Sequence, residues 1–146
     1  MGDPPNIAVN DLTLHHLGYA SDSINAALKY WAPFLVDGQP VMEFQDSEQN
    51  VNVAFYNLTG ELLIEIIEPR SNSSPIQRFI AGNNGGGLHH VAYSHASFDQ
   101  ALLEMRSAQF RRVTPVTRGF EGRKIAFFLP RDGKSTPLIE IISSPG

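Results

Sequence analysis

The chain has 146 residues, of which 42% are hydrophobic and 18% charged, and this length and composition are typical of one folded domain or of two small fused modules. Its net charge of −4 lacks the basic excess that contacts with phosphates require, so we expect no nucleic-acid partner. The sequence contains no cysteine, which excludes disulfides and thiolate ligands. It also has no apolar run of membrane-spanning length and no leader pattern, so we expect a cytoplasmic protein without membrane contact.

The first half of the chain predicts five elements after an N-terminal tail at residues 1–10. Hydrophobic periodicity predicts a strand at 14–20, a helix at 21–35, strands at 40–46 and 51–58, and an apolar closing strand at 63–67. Asn57-Leu-Thr-Gly60 predicts the turn between the last two strands. The order β-α-β-β-β assigns residues 11–69 to a first module.

A polar linker at residues 70–86 follows, and Pro75 within it predicts the start of a short helix. The same order of elements then returns, with a strand at 88–94, a helix at 97–110, strands at 111–117 and 123–129, and a closing strand at 138–142. Arg131-Asp-Gly-Lys134 predicts the turn before the last strand. Residues 87–146 therefore form a second module of the same single domain.

An internal repeat supports this division. Residues 14–20 reappear as residues 88–94, and each half closes on an apolar strand with one carboxylate inside it, Glu65 in the first and Glu140 in the second. The two carboxylates are 75 positions apart, against 74 for the first strands. We therefore predict an α+β fold built from two β-α-β-β-β modules.

The repeated residues are of types that bind divalent ions. Side chains alternate along a strand, so one His of each doublet, His15-His16 and His89-His90, points inward, and alternation alone does not say which. Glu65 and Glu140 share faces with apolar neighbours, where an unpaired carboxylate is costly. One His and one Glu from each module give a set of two nitrogen and two oxygen ligands, which suits Zn, Ni, Co or Mn and leaves positions for a substrate.

A structural role is the simpler explanation for any one of these residues, since a single strand His is more often a hydrogen-bonded core residue than a ligand. Repetition favours the metal site, because packing alone is satisfied by Leu or Val at each place. An acidic group ahead of the third strand consists of Glu43, Asp46 and Glu48. Each is most simply a solvated charge, and the alternative is that one of them is a general base. The Arg and Lys side chains of the second half are suited to solvation or to an anionic substrate tail.

The duplicated plan resembles the vicinal oxygen chelate superfamily, which includes glyoxalase I, extradiol dioxygenases and bleomycin-resistance proteins. Within it the chain is most similar to the methylmalonyl-CoA epimerases. The resemblance is carried by His16-Leu-Gly-Tyr-Ala20, Ile64-Glu-Ile-Ile-Glu-Pro69, Ser74-Pro-Ile-Gln-Arg-Phe-Ile80, Gly85-Gly-Gly-Leu-His-His-Val-Ala92, Gly122-Arg-Lys-Ile-Ala-Phe-Phe128 and Leu138-Ile-Glu-Ile-Ile142. It implies a glyoxalase-like fold, in which the two modules form a curved mixed sheet around a metal pocket, and it implies a homodimer.

The resemblance also implies roles for single residues. The metal ligands are His16, Glu65, His90 and Glu140, which selects the second His of each doublet, and the metal is a divalent ion of Co, Zn, Ni or Mn. Glu48 is implied as the general base, opposed by Glu140. The implied reaction is a proton transfer at the carbon alpha to a thioester, and the implied substrate is an acyl-CoA or another thioester.

Some residues depart from the epimerase pattern. His15 stands where the epimerases have Asp, Asn50 stands where a Gly follows the base, and Glu65 stands where Gln is frequent and glyoxalase I has Glu. Two alternatives therefore accompany the epimerase hypothesis. One is a glyoxalase I-type lactoylglutathione lyase, which uses the same ligands, and the other is a non-catalytic small-molecule-binding or resistance protein of the same fold.

Overall fold

The computed structural model describes residues 8–133 and 137–145. Its internal contacts divide the chain into two compact units. The central unit is His15–His90, and the terminal unit combines Met1–Leu14 with Val91–Gly146. In both, strands pair in a sheet and a helix covers an apolar face.

The central unit contains a mixed sheet. Its elements in chain order are β1 (Thr13–Ser21), α1 (Ile24–Trp31), a 3-10 turn (Ala32–Phe34), β2 (Met42–Asp46), β3 (Val51–Thr59), β4 (Leu62–Pro69), α2 (Ile76–Gly82) and the start of β5 (Gly86–His95). Strand β3 pairs antiparallel with β2 and β4, and β4 pairs parallel with β1. The strand order is therefore β2-β3-β4-β1.

Helix α1 is shorter than the sequence predicts. It begins after Ser23, whose Oγ accepts a hydrogen bond of 2.9 Å from the Ala26 amide and so satisfies one of the unpaired donors of the first turn. It ends at Trp31 instead of residue 35 because Pro33 has no amide hydrogen to continue the α-helical pattern, and a 3-10 turn replaces it.

The two faces of the central sheet have different partners. Helix α1 packs on one face through a cluster of buried side chains formed by Ala27, Ala54, Tyr56, Ile64 and Ile66. Phe55 and Glu65 are cross-strand partners in the β3–β4 register, so alternation directs both toward the opposite face. The face that α1 does not cover is therefore the one that carries Glu65.

The terminal unit repeats the plan of elements. It contains the end of β5, α3 (Phe98–Ser107), β6 (Phe110–Arg112), β7 (Thr117–Arg118), a 3-10 turn (Phe120–Gly122), β8 (Lys124–Pro130) and β9 (Leu138–Ser143). Strand β8 pairs antiparallel with β6, β7 and β9. Side chains of α3 pack on this sheet, where the buried cluster consists of Phe98, Ala101, Met105, Ala126, Phe128 and Ile141. Val9 and Leu12 pack against the same cluster.

The predicted strand at residues 111–117 is wrong as a single element. The structure has two short strands there, β6 and β7, with Pro115 between them. Proline cannot donate to the ladder, so the strand is interrupted there. Beside it, the amide of Phe127 donates a hydrogen bond of 3.1 Å to the Thr114 hydroxyl.

The turns also differ in detail. Strand β3 continues to Thr59 with an irregularity after Asn57, so the turn falls at Gly60, whose φ is +54°. In the turn predicted at 131–134, the Gly133 amide donates to the Pro130 carbonyl at 2.9 Å, and Lys134 lies outside the described residues.

The α+β prediction with two β-α-β-β-β modules is confirmed. None of the described helices is long and apolar enough to cross a membrane.

Candidate metal centre

Three side chains of the central unit converge on one point. His16 lies on β1, Glu65 on β4 and His90 on β5. The Nε2 atoms of His16 and His90 are 3.2 Å apart, and the Glu65 Oε1 lies 3.3 Å from the first and 2.9 Å from the second. One ligand-type atom from each strand therefore occupies a triangle with sides near 3 Å.

This triad is shielded from water. His16 is 1% exposed, His90 2%, and the Glu65 side chain 13%. The ring of Phe55 meets His16 edge-on at a centroid distance of 5.3 Å. The triad therefore lies in a medium where an isolated charge is costly.

Two opposing influences act on the carboxyl of Glu65. Burial raises its pKa, but hydrogen bonds and positive charge from His16 and His90 outweigh burial and hold the pKa well below the usual value. Glu65 is therefore an anion at neutral pH, and the two imidazoles are its direct partners.

Gly18 makes room for the His90 ring. A Cβ at position 18 would overlap the His90 ring at its Cε1, Nδ1 and Nε2 atoms, far inside any tolerated contact. The ring of His90 therefore rests directly on the backbone of β1 beside Glu65, since Gly18 is the β1 residue that pairs with Glu65. Sequence reasoning missed this role, although the second copy of the repeat has Ala92 at the matching position.

The first His of each doublet contacts the second. The Nδ1 atoms of His15 and His16 are 2.7 Å apart, and those of His89 and His90 are 2.9 Å apart. The burial pattern agrees with the choice of the second His, because His16 and His90 are buried while His15 and His89 are half-exposed. Each buried imidazole thus has its Nδ1 occupied and directs its Nε2 toward the triad.

The triad fits a divalent ion. Ligand atoms about 2.1 Å from a common centre are separated by roughly 3.0 Å at octahedral angles and roughly 3.4 Å at tetrahedral angles. The three observed separations are 3.2, 3.3 and 2.9 Å, so two lie within this range and the third lies just below it. Two imidazoles and a carboxylate are donors suited to Zn, Co, Ni or Mn.

The two other predicted site residues are Glu140 and Glu48. Glu140 is on β9 in the terminal unit, is 3% exposed, and has Phe127 as its backbone pairing partner. Glu48 is exposed in the turn between β2 and β3. The turn that contains Glu48 leads into β3 at Val51. Val51 lies four residues, or about 13 Å along the strand, from Phe55, the partner of Glu65.

The two other acids of the predicted acidic group are not equivalent. Glu43 pairs with Ala54 and so lies on the face that α1 covers. Burial raises the pKa of the Tyr56 phenol, and the nearby charge of Glu43 raises it further. Asp46 pairs with Val51 on the face of Glu65, at the far end of the strand, and its Oδ1 accepts a hydrogen bond from the Gln49 amide.

Apolar side chains continue the sheet face next to the triad. Phe44, Val53 and Ile67 form one cross-strand row, and the Phe44 ring is stacked on Phe55 at 6.4 Å. On β2, β3 and β4, which lie wholly within the described residues, the ionisable side chains of this face are Glu65 and Asp46. The face therefore offers an apolar floor between the triad and Asp46.

Relatives of this chain include an uncharacterized protein and methylmalonyl-CoA epimerases. The chain is 32% identical over 135 residues to the uncharacterized protein YqjC of Bacillus subtilis, covering 91% of this chain and 93% of that protein. It is 28% identical over 121 residues to the mitochondrial methylmalonyl-CoA epimerase of Mus musculus, covering 82% of this chain and 66% of the mouse protein.

A solved structure shows the same likeness. A Streptomyces coelicolor methylmalonyl-CoA epimerase variant in complex with 2-nitronate-propionyl-CoA is 25% identical, with a TM-score of 0.76, and the match covers 92% of this chain and 99% of that one. The sequence pattern of one family, described as the Glyoxalase/Bleomycin resistance protein/Dioxygenase superfamily, matches residues 15–127, which include His16, Glu65 and His90. This chain belongs to the Glyoxalase/Bleomycin resistance protein/Dioxygenase superfamily.

Proposed function

We propose that this protein is a divalent-metal-dependent isomerase that transfers a proton at the carbon alpha to a thioester, in the manner of a methylmalonyl-CoA epimerase. The observation that carries the proposal is the convergence of His16, Glu65 and His90 within 3.3 Å in the fold shared with named epimerases. An acyl-CoA is the proposed substrate class, since the similar solved structure is named as a complex with an acyl-CoA analogue.

Glu140 is the proposed fourth ligand. It is a carboxylate buried to 3% exposure on the last strand of the second module, and Glu65 is the carboxylate on the last strand of the first. Removing a carboxylate from water costs free energy, and a bound cation would offset that cost. The duplicated plan thus supports a ligand set of His16, Glu65, His90 and Glu140.

The proposed chemistry divides between the ion and the chain. A divalent ion, when bound, withdraws electrons from carbonyl oxygens of the substrate and so acidifies the adjacent carbon. His16, His90 and Glu65 supply the donors that hold it. The apolar floor of Phe44, Val53 and Phe55 excludes water and contacts the alkyl part of the acyl group.

Epimerisation also needs a proton to leave on one face of the carbon and return on the other. We propose Glu48 and Glu140 as the two groups: one carboxylate takes the proton, and the other, protonated, returns one to the opposite face. Glu140 has the support of its burial. Glu48 has less support, because its turn lies beyond Val51. It acts only on a substrate that extends along β3.

The experiment is α-proton exchange in D2O, followed by NMR on a single epimer of methylmalonyl-CoA. We expect the metal-loaded protein to wash deuterium into the α position and to equilibrate the epimers. Glu140→Gln and Glu48→Gln should each slow exchange by about 10²-fold or more. Glu61→Gln, an exposed carboxylate in the β3–β4 turn, is the matched control and should exchange at the unaltered rate.

A second substrate separates the competing activity. The carboxylate at position 65 is the feature that favours a glyoxalase I-type reaction, so a glutathione hemithioacetal is tested beside the acyl-CoA. Turnover of the hemithioacetal alone would replace the epimerase proposal by the lyase. Tight binding of an acyl-CoA with no exchange in the metal-loaded protein would replace both by a binding function.

A further inference from the structure

The two first histidines of the doublets have a shared geometry that the metal-ligand assignment does not explain. His15 and His89 are half-exposed, and the triad is formed by the Nε2 atoms of their neighbours His16 and His90. Yet each brings its Nδ1 to within 2.9 Å of the Nδ1 of the buried His that follows it. The same contact occurs in both copies of the repeat, 74 residues apart.

A contact between two Nδ1 atoms requires that one carries a hydrogen and the other does not. A His that binds a metal through Nε2 must keep that nitrogen unprotonated, so its hydrogen is on Nδ1. When an ion is bound, His16 and His90 are therefore the donors in the two contacts, and His15 and His89 are the acceptors. An acceptor at this place fixes both the tautomer and the rotation of the ligand ring.

We propose that His15 and His89 are positioning residues, each of which accepts a hydrogen bond from a ligand His and so presents the Nε2 of His16 and of His90 to a divalent ion. The inference rests on the proposed metal site. It assigns a role to both histidines of each doublet and explains why the doublet, and not a single His, is repeated.

The second doublet has an additional support. The His89 ring meets the ring of Phe79 edge-on at a centroid distance of 5.0 Å, and Phe79 belongs to α2, which is anchored by the buried Ile76 and Ile80. Phe79 of α2 therefore contacts His89, and His89 in turn contacts His90. Loss of the Phe79 ring should loosen His89 and weaken metal binding less than loss of His89 itself.

The test uses substitutions that separate ring shape from the acceptor. His15→Phe and His89→Phe keep a ring and remove the acceptor, whereas His15→Asn and His89→Asn place an amide oxygen near the position of Nδ1. Affinity for Co(II) is measured by competition with a chromophoric chelator, and the visible spectrum of the Co(II) protein reports ligand geometry. Thermal unfolding of the metal-free variants controls for general destabilisation.

We expect each Phe variant to bind Co(II) about 10- to 100-fold more weakly and with an altered spectrum, and each Asn variant to stay within about threefold of the unaltered protein. Unchanged affinity in the Phe variants would overturn the inference and leave the metal site intact. Equal losses in the Phe and Asn variants would also overturn it, since the acceptor would then not be the relevant feature. If the unaltered protein binds no Co(II), the proposed function itself fails.

Discussion

Gly18 is the residue on which the position of His90 depends most directly. Any side chain at position 18 meets the His90 ring, because even a Cβ would overlap its Cε1 atom. Gly18→Ala should therefore displace the ring from Glu65, destabilise the fold by about 1–3 kcal/mol through overpacking, and weaken metal binding. Isothermal titration with Zn or Co and urea unfolding measure the two effects.

Gly38→Ala is the control for Gly18→Ala. A Cβ at position 38 would have nothing within 4 Å, and the residue lies in an exposed loop, so the same substitution there should leave both affinity and stability unchanged. If Gly18→Ala binds metal as tightly as Gly38→Ala does, His90 is not a ligand in the arrangement described.

At the level of residues, the sequence predicted which residues form the candidate site better than it predicted the contacts among them. The repeat pointed to Glu65 and to one His of each doublet, and the resemblance selected His16 and His90. These three residues converge. Sequence alternation could not predict the Nδ1 contacts within each doublet, because such contacts depend on rotamers of adjacent side chains. The space above Gly18 was equally beyond prediction, since it depends on which strand lies opposite.

The helices offer a test at the scale of elements. Ser23 caps α1 through a hydrogen bond to the Ala26 amide, whereas Ser97 occupies the same position before α3 without a side-chain cap. Ser23→Ala should therefore lower the free energy of unfolding by about 1 kcal/mol, and Ser97→Ala by much less. Urea denaturation of the two variants provides the comparison, and equal effects would show that the Ser23 cap does not stabilise α1.

Element boundaries were predicted well where periodicity was strong and poorly at prolines. The repeated strands at Glu65 and Glu140 are where the pattern put them. Pro33 shortened the predicted helix and Pro115 divided the predicted strand, because each removes a backbone donor whose effect depends on the partner available at that place. Hydrophobic periodicity does not contain that information.

Metal binding should be visible in the stability of the whole molecule. An ion that binds only the folded chain at a free concentration 100 times its Kd adds about 2.7 kcal/mol to the free energy of unfolding. Removal of metal with EDTA should therefore lower the Tm by roughly 5–10 °C for a chain of this size, and Zn should restore it. A Tm that is the same with EDTA and with Zn would contradict a resident ion.

For the whole molecule, the sequence predicted the architecture because a duplication fixes the order of elements twice. The α+β plan is confirmed, and the family assignment agrees with it. The module boundaries, the homodimer and the cytoplasmic location stay predictions. They depend on surfaces and surroundings that hydrophobic periodicity does not encode.

Elemental analysis of metal content per chain decides whether His16, Glu65 and His90 hold a divalent ion. The protein is stripped, equilibrated in turn with Zn, Co, Ni and Mn, and freed of excess, with Glu65→Ala and His90→Ala beside it and Glu61→Ala as the exposed control. We predict close to one ion per chain in the unaltered protein and the control, and loss of the ion in both triad variants. An unaltered protein without metal, or triad variants that retain it, would contradict the proposed metal site.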